Sequence, residues 1–206
     1  MHQETLSKET AIVLNKIKDS VSEFYLAGGT ALALLLGHRI SVDLDFFCVE
    51  NFSTREIAER LSKQGHLEIS SESEGTLNGL LDGVKISFFK YPYKLLFPKK
   101  EYEGVYIADE RDIAAMKILA ISGRGSKKDF VDLFVLLKEY SLEDILGFFN
   151  AKYKEYNYNI LHILKSLIYF SDADLDPEPV YLKLISWDEV KETIKKIVDE
   201  YTKSKL

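Results

Sequence analysis

Asp43 and Asp45 lie two residues apart in an otherwise apolar run of the chain. Residues i and i+2 of a β-strand point to the same face, so the pattern predicts two neighbouring carboxylates, with Val42, Leu44 and Phe46 turned to the core. Adjacent carboxylates repel each other and are costly to desolvate unless a cation lies between them. Mg²⁺ is commonly held by one or two carboxylates together with substrate phosphates. The pair is therefore a candidate metal site.

A candidate phosphate site precedes the aspartates. Gly28, Gly29 and Thr30 follow a short apolar strand and open a predicted apolar helix that ends at about Leu36. Glycine lets a ligand approach the backbone closely, and the free amides at a helix N-terminus attract anions. The order strand, Gly-Gly-Thr, helix, strand and Asp-x-Asp predicts a triphosphate held between a helix end and a metal pair.

Each of these features alone also has an ordinary structural explanation. A Gly-Gly pair before a helix is often only a turn, and Asp-x-Asp in a strand is often a surface feature of an edge strand. The segment lacks the Gly-Lys-Ser/Thr of a P-loop and the third glycine of a dinucleotide fold. Phe46 and Phe47 after the pair disfavour a phosphatase with an aspartate nucleophile, and a sugar transferase would need a longer α/β domain before it. The combined spacing favours nucleotidyl transfer.

The elements that must position these residues fall into an α/β half, residues 1–108, and a helical half, residues 109–206. In the first half we predict helices over residues 5–20, 28–36 and 53–63, and strands over residues 24–27, 41–49, 67–71, 76–81 and 84–91, with a hairpin turn at Asp82-Gly83 and a short edge strand at Tyr106-Ile107. In the second half we predict helices over residues 109–122, 127–139 and 159–170 and helices that begin at Ser141 and Ser186.

The composition narrows the class of protein. The chain has 206 residues, 46% of them hydrophobic and 29% charged, which is typical of a globular protein with a substantial core. No apolar run approaches the ~20 residues of a membrane span, and the N-terminus does not resemble a signal peptide, so we expect a cytoplasmic protein without a membrane partner. The one cysteine, Cys48, is expected to be a buried thiol, and four scattered histidines do not indicate a zinc site. A net charge of −6 argues against a surface that is basic overall.

Residues 28–30 and 38–47 resemble the first motif of the AbiEii/AbiGii toxin family of nucleotidyltransferases, within the polymerase-β-like superfamily. A second block resembles the family's helical motif; it comprises residues 112–120 with Lys117, then Arg124, Lys127, Lys128, Asp129, Phe130, Asp132 and Leu133. Residues 84–93 resemble the strand between the two blocks. The resemblance spans roughly residues 20–140 in the right order and does not extend to the last sixty or so residues.

The resemblance implies an α+β fold with a polymerase-β-like mixed sheet, flanking helices and a helical C-terminal domain. It also implies that a hydroxyl attacks the α-phosphate of a nucleoside triphosphate (NTP) and releases pyrophosphate. Asp43 and Asp45 would hold Mg²⁺ or Mn²⁺ as metal ligands and catalytic residues. Lys117 would contact the triphosphate, and Asp129 would complete the catalytic site.

The expected nucleotide-binding residues are Gly28, Gly29, Thr30, Arg39, Ser41 and Arg124. Several of the expected site residues also have simpler interpretations. Lys117 has the pattern of a solvated lysine, Arg124 that of a solvated turn, and Asp129 that of an acid in the first turn of a helix. Asp132, on the same helical face, would support Asp129 or pair with Lys128. Arg39 is expected either to be structural or to face a phosphate.

The general base and the acceptor are less defined. Where many polymerase-β-like enzymes carry a third carboxylate, the inward-facing residue here is Ser87, so we predict that Asp129 is the base. Residues 84–100 hold five lysines and no acid, interleaved with aromatics, which suits RNA binding. The simpler interpretation is a strand with core aromatics, Phe88 and Phe89 among them, and solvated lysines.

By analogy with the family, the acceptor is RNA of the tRNA kind, and the protein is the toxin of a toxin–antitoxin pair with an antitoxin partner. The alternative is an inactive module of the same fold that binds a nucleotide or a partner.

Overall fold

The computed structural model describes residues 1–205. The chain divides into two compact units, residues 1–109 and residues 110 onward. The first unit contains a mixed sheet with flanking helices, and the described part of the second unit is helical. The predicted α+β fold, a mixed sheet followed by a helical region, is confirmed.

In the first unit the helices are α1 (Lys8–Ile17), α2 (Gly28–Leu36) and α3 (Thr54–Ser62). Its strands are β1 (Tyr25–Ala27), β2 (Leu44–Cys48), β3 (Leu67–Ser73), β4 (Thr76–Leu81), β5 (Val84–Lys90), β6 (Lys100–Tyr102) and β7 (Val105–Ile107). The second unit contains α4 (Glu110–Gly123), α5 (Lys127–Leu136), α6 (Leu142–Lys152), α7 (Ile160–Ser166) and α8 (Trp187–Lys205).

The described strands form a seven-stranded sheet in the order β3-β4-β5-β2-β1-β7-β6. Strand β2 runs parallel to β5 and antiparallel to β1, and β1 runs parallel to β7. The strand predicted at Tyr106-Ile107 exists as β7 but is not an edge, because Lys100–Tyr102 forms β6 beside it. The two central strands β2 and β1 therefore carry the segments that flank the candidate site.

The centre of the sheet has one apolar face. Leu44 and Phe46 of β2 and Phe88 of β5 are completely buried, and the rings of Phe46 and Phe88 stack with centroids 5.2 Å apart. Strand residues alternate between faces, so the residues between them point to the other side of the sheet. The predicted buried thiol is found at Cys48, where burial and the nearby Glu23 and Glu50 raise its pKa to about 11.

Helix starts follow local capping. The Ser7 hydroxyl accepts a hydrogen bond from the Thr10 amide, so α1 begins at Lys8 rather than at residue 5. Ser53 likewise accepts from the Glu56 amide at the start of α3. None of the helices within residues 1–205 combines the length and the apolarity that a membrane span requires.

A buried ion pair joins two helices of the second unit. Lys152 Nζ, at the end of α6, lies 2.7 Å from Asp112 Oδ1 on α4, and neither side chain is exposed. Burial lowers the pKa of Lys152, and the hydrogen bond and charge of Asp112 oppose that shift. Both charges are out of water, so each depends on its partner.

We expect Lys152→Met to lower the free energy of unfolding by about 3–5 kcal/mol, because Asp112 then stays buried without this cation. Chemical denaturation followed by circular dichroism measures the loss. The double variant Asp112→Leu/Lys152→Met should recover most of it, since an apolar pair carries no charge to desolvate.

The control is Glu200→Gln, which alters an exposed pair with Lys196 at 4.0 Å and should leave stability nearly unchanged. A double variant no more stable than Lys152→Met would contradict this account of the pair.

Candidate active site

The predicted carboxylate pair lies at the start of β2. Asp45 is the second residue of the strand, and Asp43 comes just before the strand begins. Both side chains are partly exposed, whereas Leu44 between them is completely buried. The prediction that Val42 faces the core is wrong, since it is 49% exposed. The ladder between β2 and β5 begins only at Leu44, so alternation does not extend back to residue 42.

The predicted phosphate-binding segment begins α2 directly beside Asp45. Ala27, the N-cap residue, offers no side-chain oxygen to the first amides of the helix. Gly28 has a φ of +70°, and a Cβ placed there would lie 3.2 Å from Asp45 Oδ2. Because only glycine adopts such a φ readily, the close approach of helix start and carboxylate depends on Gly28.

Gly29 provides space for a buried arginine. A Cβ at Gly29 would lie 2.2 Å from Nη2 of Arg39 and 3.4 Å from Oγ of Ser41. Arg39 is 3% exposed, and its Nη1 donates to the carbonyl oxygen of Ile40 at 3.1 Å. The guanidinium therefore lies against the first turn of α2, which brings together three of the predicted binding residues.

Thr30 links α2 to the aspartate segment. Its hydroxyl donates to the carbonyl oxygen of Asp43, and Oγ of Ser41 lies 2.9 Å away. Thr30 is 1% exposed, so its hydroxyl is turned to the protein interior. These contacts position the backbone of Asp43 relative to the helix.

A serine and a lysine of β5 border the aspartates. Ser87 is the register partner of Asp45 and is 2% exposed, as expected from the inward-facing pattern. Nζ of Lys85 lies 3.9 Å from Oδ2 of Asp43, with the lysine side chain largely exposed. Lys85 is not among the site residues that the sequence predicts, although it lies two residues before Ser87 on the same face of the strand.

The carboxylates offer a partial metal-binding set. Among residues 1–205 no group of three or more acidic, histidine or cysteine side chains could hold a metal ion. Asp43 and Asp45 therefore fit an ion that takes its other ligands from water and substrate phosphates, as Mg²⁺ does, and Mn²⁺ accepts the same oxygen donors. The donor set does not fit a metal held by protein side chains alone.

In the second unit, Lys117 and Asp129 form a buried ionic cluster with Asp132. Nζ of Lys117 lies 2.8 Å from Oδ1 of Asp129 and 2.6 Å from Oδ2 of Asp132. The simpler interpretation of Lys117 as a solvated lysine is wrong, because its side chain is 7% exposed. Asp132 supports this cluster through Lys117. Two carboxylates account for the buried charge of Lys117, and its contact with a triphosphate stays a prediction.

Asp129 is held as an anion. Burial alone would raise the pKa of its carboxyl, but the charge and hydrogen bond of Lys117 and a hydrogen bond from Ser126, at 2.5 Å, outweigh burial and lower the pKa. Arg124, 72% exposed, has its Nε 3.6 Å from Oδ2 of Asp129. A lowered pKa makes a carboxylate a weaker base, so this environment suits an anchor for Lys117 better than the predicted general base.

Comparison with known proteins gives a family match over part of the chain and a relative over nearly all of it. Residues 16–66, which include Asp43 and Asp45, match the sequence model of the nucleotidyl transferase AbiEii toxin of type IV toxin–antitoxin systems. An uncharacterised protein of Aquifex aeolicus (strain VF5), aq_aa25, is 42% identical over 205 residues, which is 95% of this chain and 97% of that protein.

Solved structures share the fold at low sequence identity. JHP933 from Helicobacter pylori superposes with a TM-score of 0.57 at 17% identity, over 97% of this chain and 94% of that protein. MenT4, the nucleotidyltransferase toxin Rv2826c of Mycobacterium tuberculosis H37Rv, superposes with a TM-score of 0.58 at 13% identity, over 92% of this chain and 81% of that protein. The chain therefore has the fold of these proteins.

The packing at Gly29 predicts the effect of an added methyl group. Gly29→Ala should lower the free energy of unfolding by about 1–3 kcal/mol, because the buried Arg39 guanidinium must move. Gly147→Ala is the matched control: nothing lies within 4 Å of its added Cβ, and it should stabilise α6 by about 0.5–1 kcal/mol. Denaturant unfolding of both variants measures the difference, and equal effects would contradict the close contact.

The lowered pKa of Asp129 predicts an acid-sensitive helical unit. An acid whose pKa is lower in the folded state than in the unfolded state stabilises the folded protein. The stabilisation is complete above the unfolded-state pKa, about 3.9, and is lost as the pH falls through the folded-state pKa. We expect the unfolding free energy to fall on acidification below about pH 4, and Asp129→Asn to flatten that fall.

Unfolding of the two proteins at a series of acidic pH values measures the slopes. Glu155→Gln removes an exposed carboxylate of the same unit and should keep the wild-type slope. An Asp129→Asn protein with the same acid dependence as the wild type would contradict the shifted pKa.

Proposed function

We propose that the chain is a nucleotidyltransferase of the AbiEii family, whose sequence model matches residues 16–66, and that it transfers a nucleoside monophosphate from an NTP to an acceptor hydroxyl, with Asp43 and Asp45 at the reacting phosphate. The observation that carries the proposal is the position of the Asp45 carboxylate, against Gly28 at the start of α2, where the N-cap residue Ala27 has no side-chain oxygen. An anion-binding helix end and a pair of carboxylates are thereby adjacent.

The start of α2 is the proposed binding position of the β- and γ-phosphates. Its first-turn amides and the positive end of the helix dipole attract anions. The buried Arg39 guanidinium lies against Gly29 and adds positive charge there. Gly28 and Gly29 have no side chains between the ligand and the backbone, so phosphates can approach the amides closely.

Asp43 and Asp45 would hold Mg²⁺ or Mn²⁺ as the nucleotide binds, because two carboxylates without a third suit an ion that is also bound by phosphate oxygens. When bound, such an ion neutralises the charge that develops on the phosphoryl oxygens. Thr30 and Ser41 would keep the backbone of Asp43 in place during the reaction.

The reaction forms one P–O bond and breaks another. The acceptor oxygen attacks the α-phosphorus, the bond from that phosphorus to the bridging oxygen breaks, pyrophosphate leaves with the bonding electrons, and the hydroxyl loses its proton. Phosphoryl transfer requires mainly positioning and charge stabilisation, so a helix start adjacent to two carboxylates is suited to it.

We further propose RNA of the tRNA kind as the acceptor and an antitoxin protein as a partner in the cytoplasm. The support for RNA is the segment of residues 84–100, which carries five lysines and no acid in a chain of net charge −6. The support for the antitoxin is the description of the matched family as a toxin of toxin–antitoxin systems.

The proposal predicts that Asp43→Ala and Asp45→Asn each reduce transfer by about a hundredfold or more, because the developing charge loses its stabilisation. Purified protein is incubated with each α-labelled NTP, Mg²⁺ and total RNA, and label in RNA is measured. The control is Asp19→Asn, which removes an exposed carboxylate of the same unit and should transfer as the wild type does. Equal transfer by the Asp45→Asn protein would contradict the proposed role.

A further inference from the structure

Phe47, Phe89, Tyr91 and Tyr93 form a row of rings, the aromatic platform, on the face of the sheet that carries Asp45. The centroid of Phe47 lies 5.2 Å from that of Phe89 and 5.4 Å from that of Tyr91, and Tyr91 and Tyr93 are 5.2 Å apart. The amide of Tyr91 donates to the carbonyl oxygen of Cys48 at 2.7 Å, so the segment after β5 continues alongside β2.

The platform is not needed to fill the core. Phe46 and Phe88, on the opposite face of the same strands, are completely buried, as the simpler interpretation predicted for Phe88. All four platform rings are partly exposed. A contiguous row of partly exposed aromatics is the kind of surface that marks a binding site.

The platform and the start of α2 lie on opposite sides of Asp45. In the ladder Asp45 is opposite Ala27, and Phe47 is opposite Tyr25. The strands are antiparallel, so Gly28 continues beyond Ala27 toward the Asp43 side, away from Phe47. Phe47 follows Asp45 by two residues, roughly 6.6 Å along the strand.

This arrangement determines from which side the acceptor arrives. In an in-line transfer the attacking oxygen and the leaving pyrophosphate lie on opposite sides of the reacting phosphorus. With the terminal phosphates at α2, pyrophosphate leaves on the Gly28 side. The acceptor hydroxyl therefore approaches from the side of Phe47, over the platform.

The charge around the platform suits a polyanion. Residues 84–100, which include three of its rings, contain five lysines and no acid. Lys90 and Lys94 of this segment are exposed. Aromatic rings interleaved with basic side chains bind single-stranded nucleic acid, because bases stack on the rings while cations follow the backbone. Within a duplex the base faces are covered by stacking on neighbouring bases, and the base edges are occupied by pairing.

We propose that the aromatic platform stacks the unpaired bases at the end of a single-stranded RNA acceptor and so presents its terminal hydroxyl at Asp45. The inference rests on the proposed function for the identity of the reaction. It makes the platform a positioning surface and selects single-stranded ends over duplex ends.

The test is binding of a short oligoribonucleotide with a terminal 2-aminopurine, whose fluorescence is quenched by stacking, beside the same end in a duplex. The wild type should quench the single strand and not the duplex. Tyr91→Leu/Tyr93→Leu should weaken single-strand binding by about tenfold and raise the KM for RNA similarly, with the KM for NTP unchanged. Tyr91→Phe/Tyr93→Phe keeps the rings and should bind as the wild type does.

Phe52→Leu is the control, since Phe52 is a partly exposed ring that packs on Phe24 of the other, apolar face. Thermal unfolding of each variant shows that it is folded. Quenching by a wild type that transfers no nucleotide would support the platform and count against the proposed function. Three results would overturn the proposed role of the platform. They are transfer to RNA without quenching, equal binding of single strand and duplex, and unchanged binding by the Tyr91→Leu/Tyr93→Leu protein.

Discussion

The contact between Asp45 and the first residue of α2 is the constraint on which the candidate site depends. Strand β1 runs antiparallel to β2 with Ala27 opposite Asp45, so the chain must turn into a helix directly beside the carboxylate. Gly28, at a φ of +70°, makes that turn possible. The positive end of the helix favours an anion, while Asp43 and Asp45 repel one, so a triphosphate needs a cation to bind at this place.

The division of the sheet into two faces makes this site rigid. The apolar side chains of β2 and β5 anchor the strands in the core, and the alternate residues of the same strands carry the polar and aromatic groups. The positions of Asp45 and Phe47 therefore follow from the register of the ladder. Thr30 adds a hydrogen bond from α2 to the backbone carbonyl oxygen of Asp43, which positions the segment just before the strand begins.

Local patterns predicted much of this architecture. The i, i+2 spacing predicted that Asp43 and Asp45 are turned away from the core in which Leu44 is buried. Asp82-Gly83 forms the predicted turn, with φ angles of 49° and 81°. Alternation failed at Val42, because a period of two holds only where the ladder exists. Lys117 has the local pattern of a solvated lysine, and no local pattern marks Asp112 and Lys152 as a buried pair, because the partner of each charge lies far along the chain. Strand β6 has three residues, too few for an alternating pattern that would predict it from the sequence.

The most direct test of the account is manganese binding, followed by electron paramagnetic resonance, in the presence of a non-hydrolysable NTP analogue. The wild type should bind Mn²⁺ at a site that forms only with the nucleotide, because two carboxylates need phosphate oxygens to complete the coordination. Asp45→Asn should lose that site while the protein stays folded. Nucleotide-dependent Mn²⁺ binding that is unchanged in the Asp45→Asn protein would contradict the account.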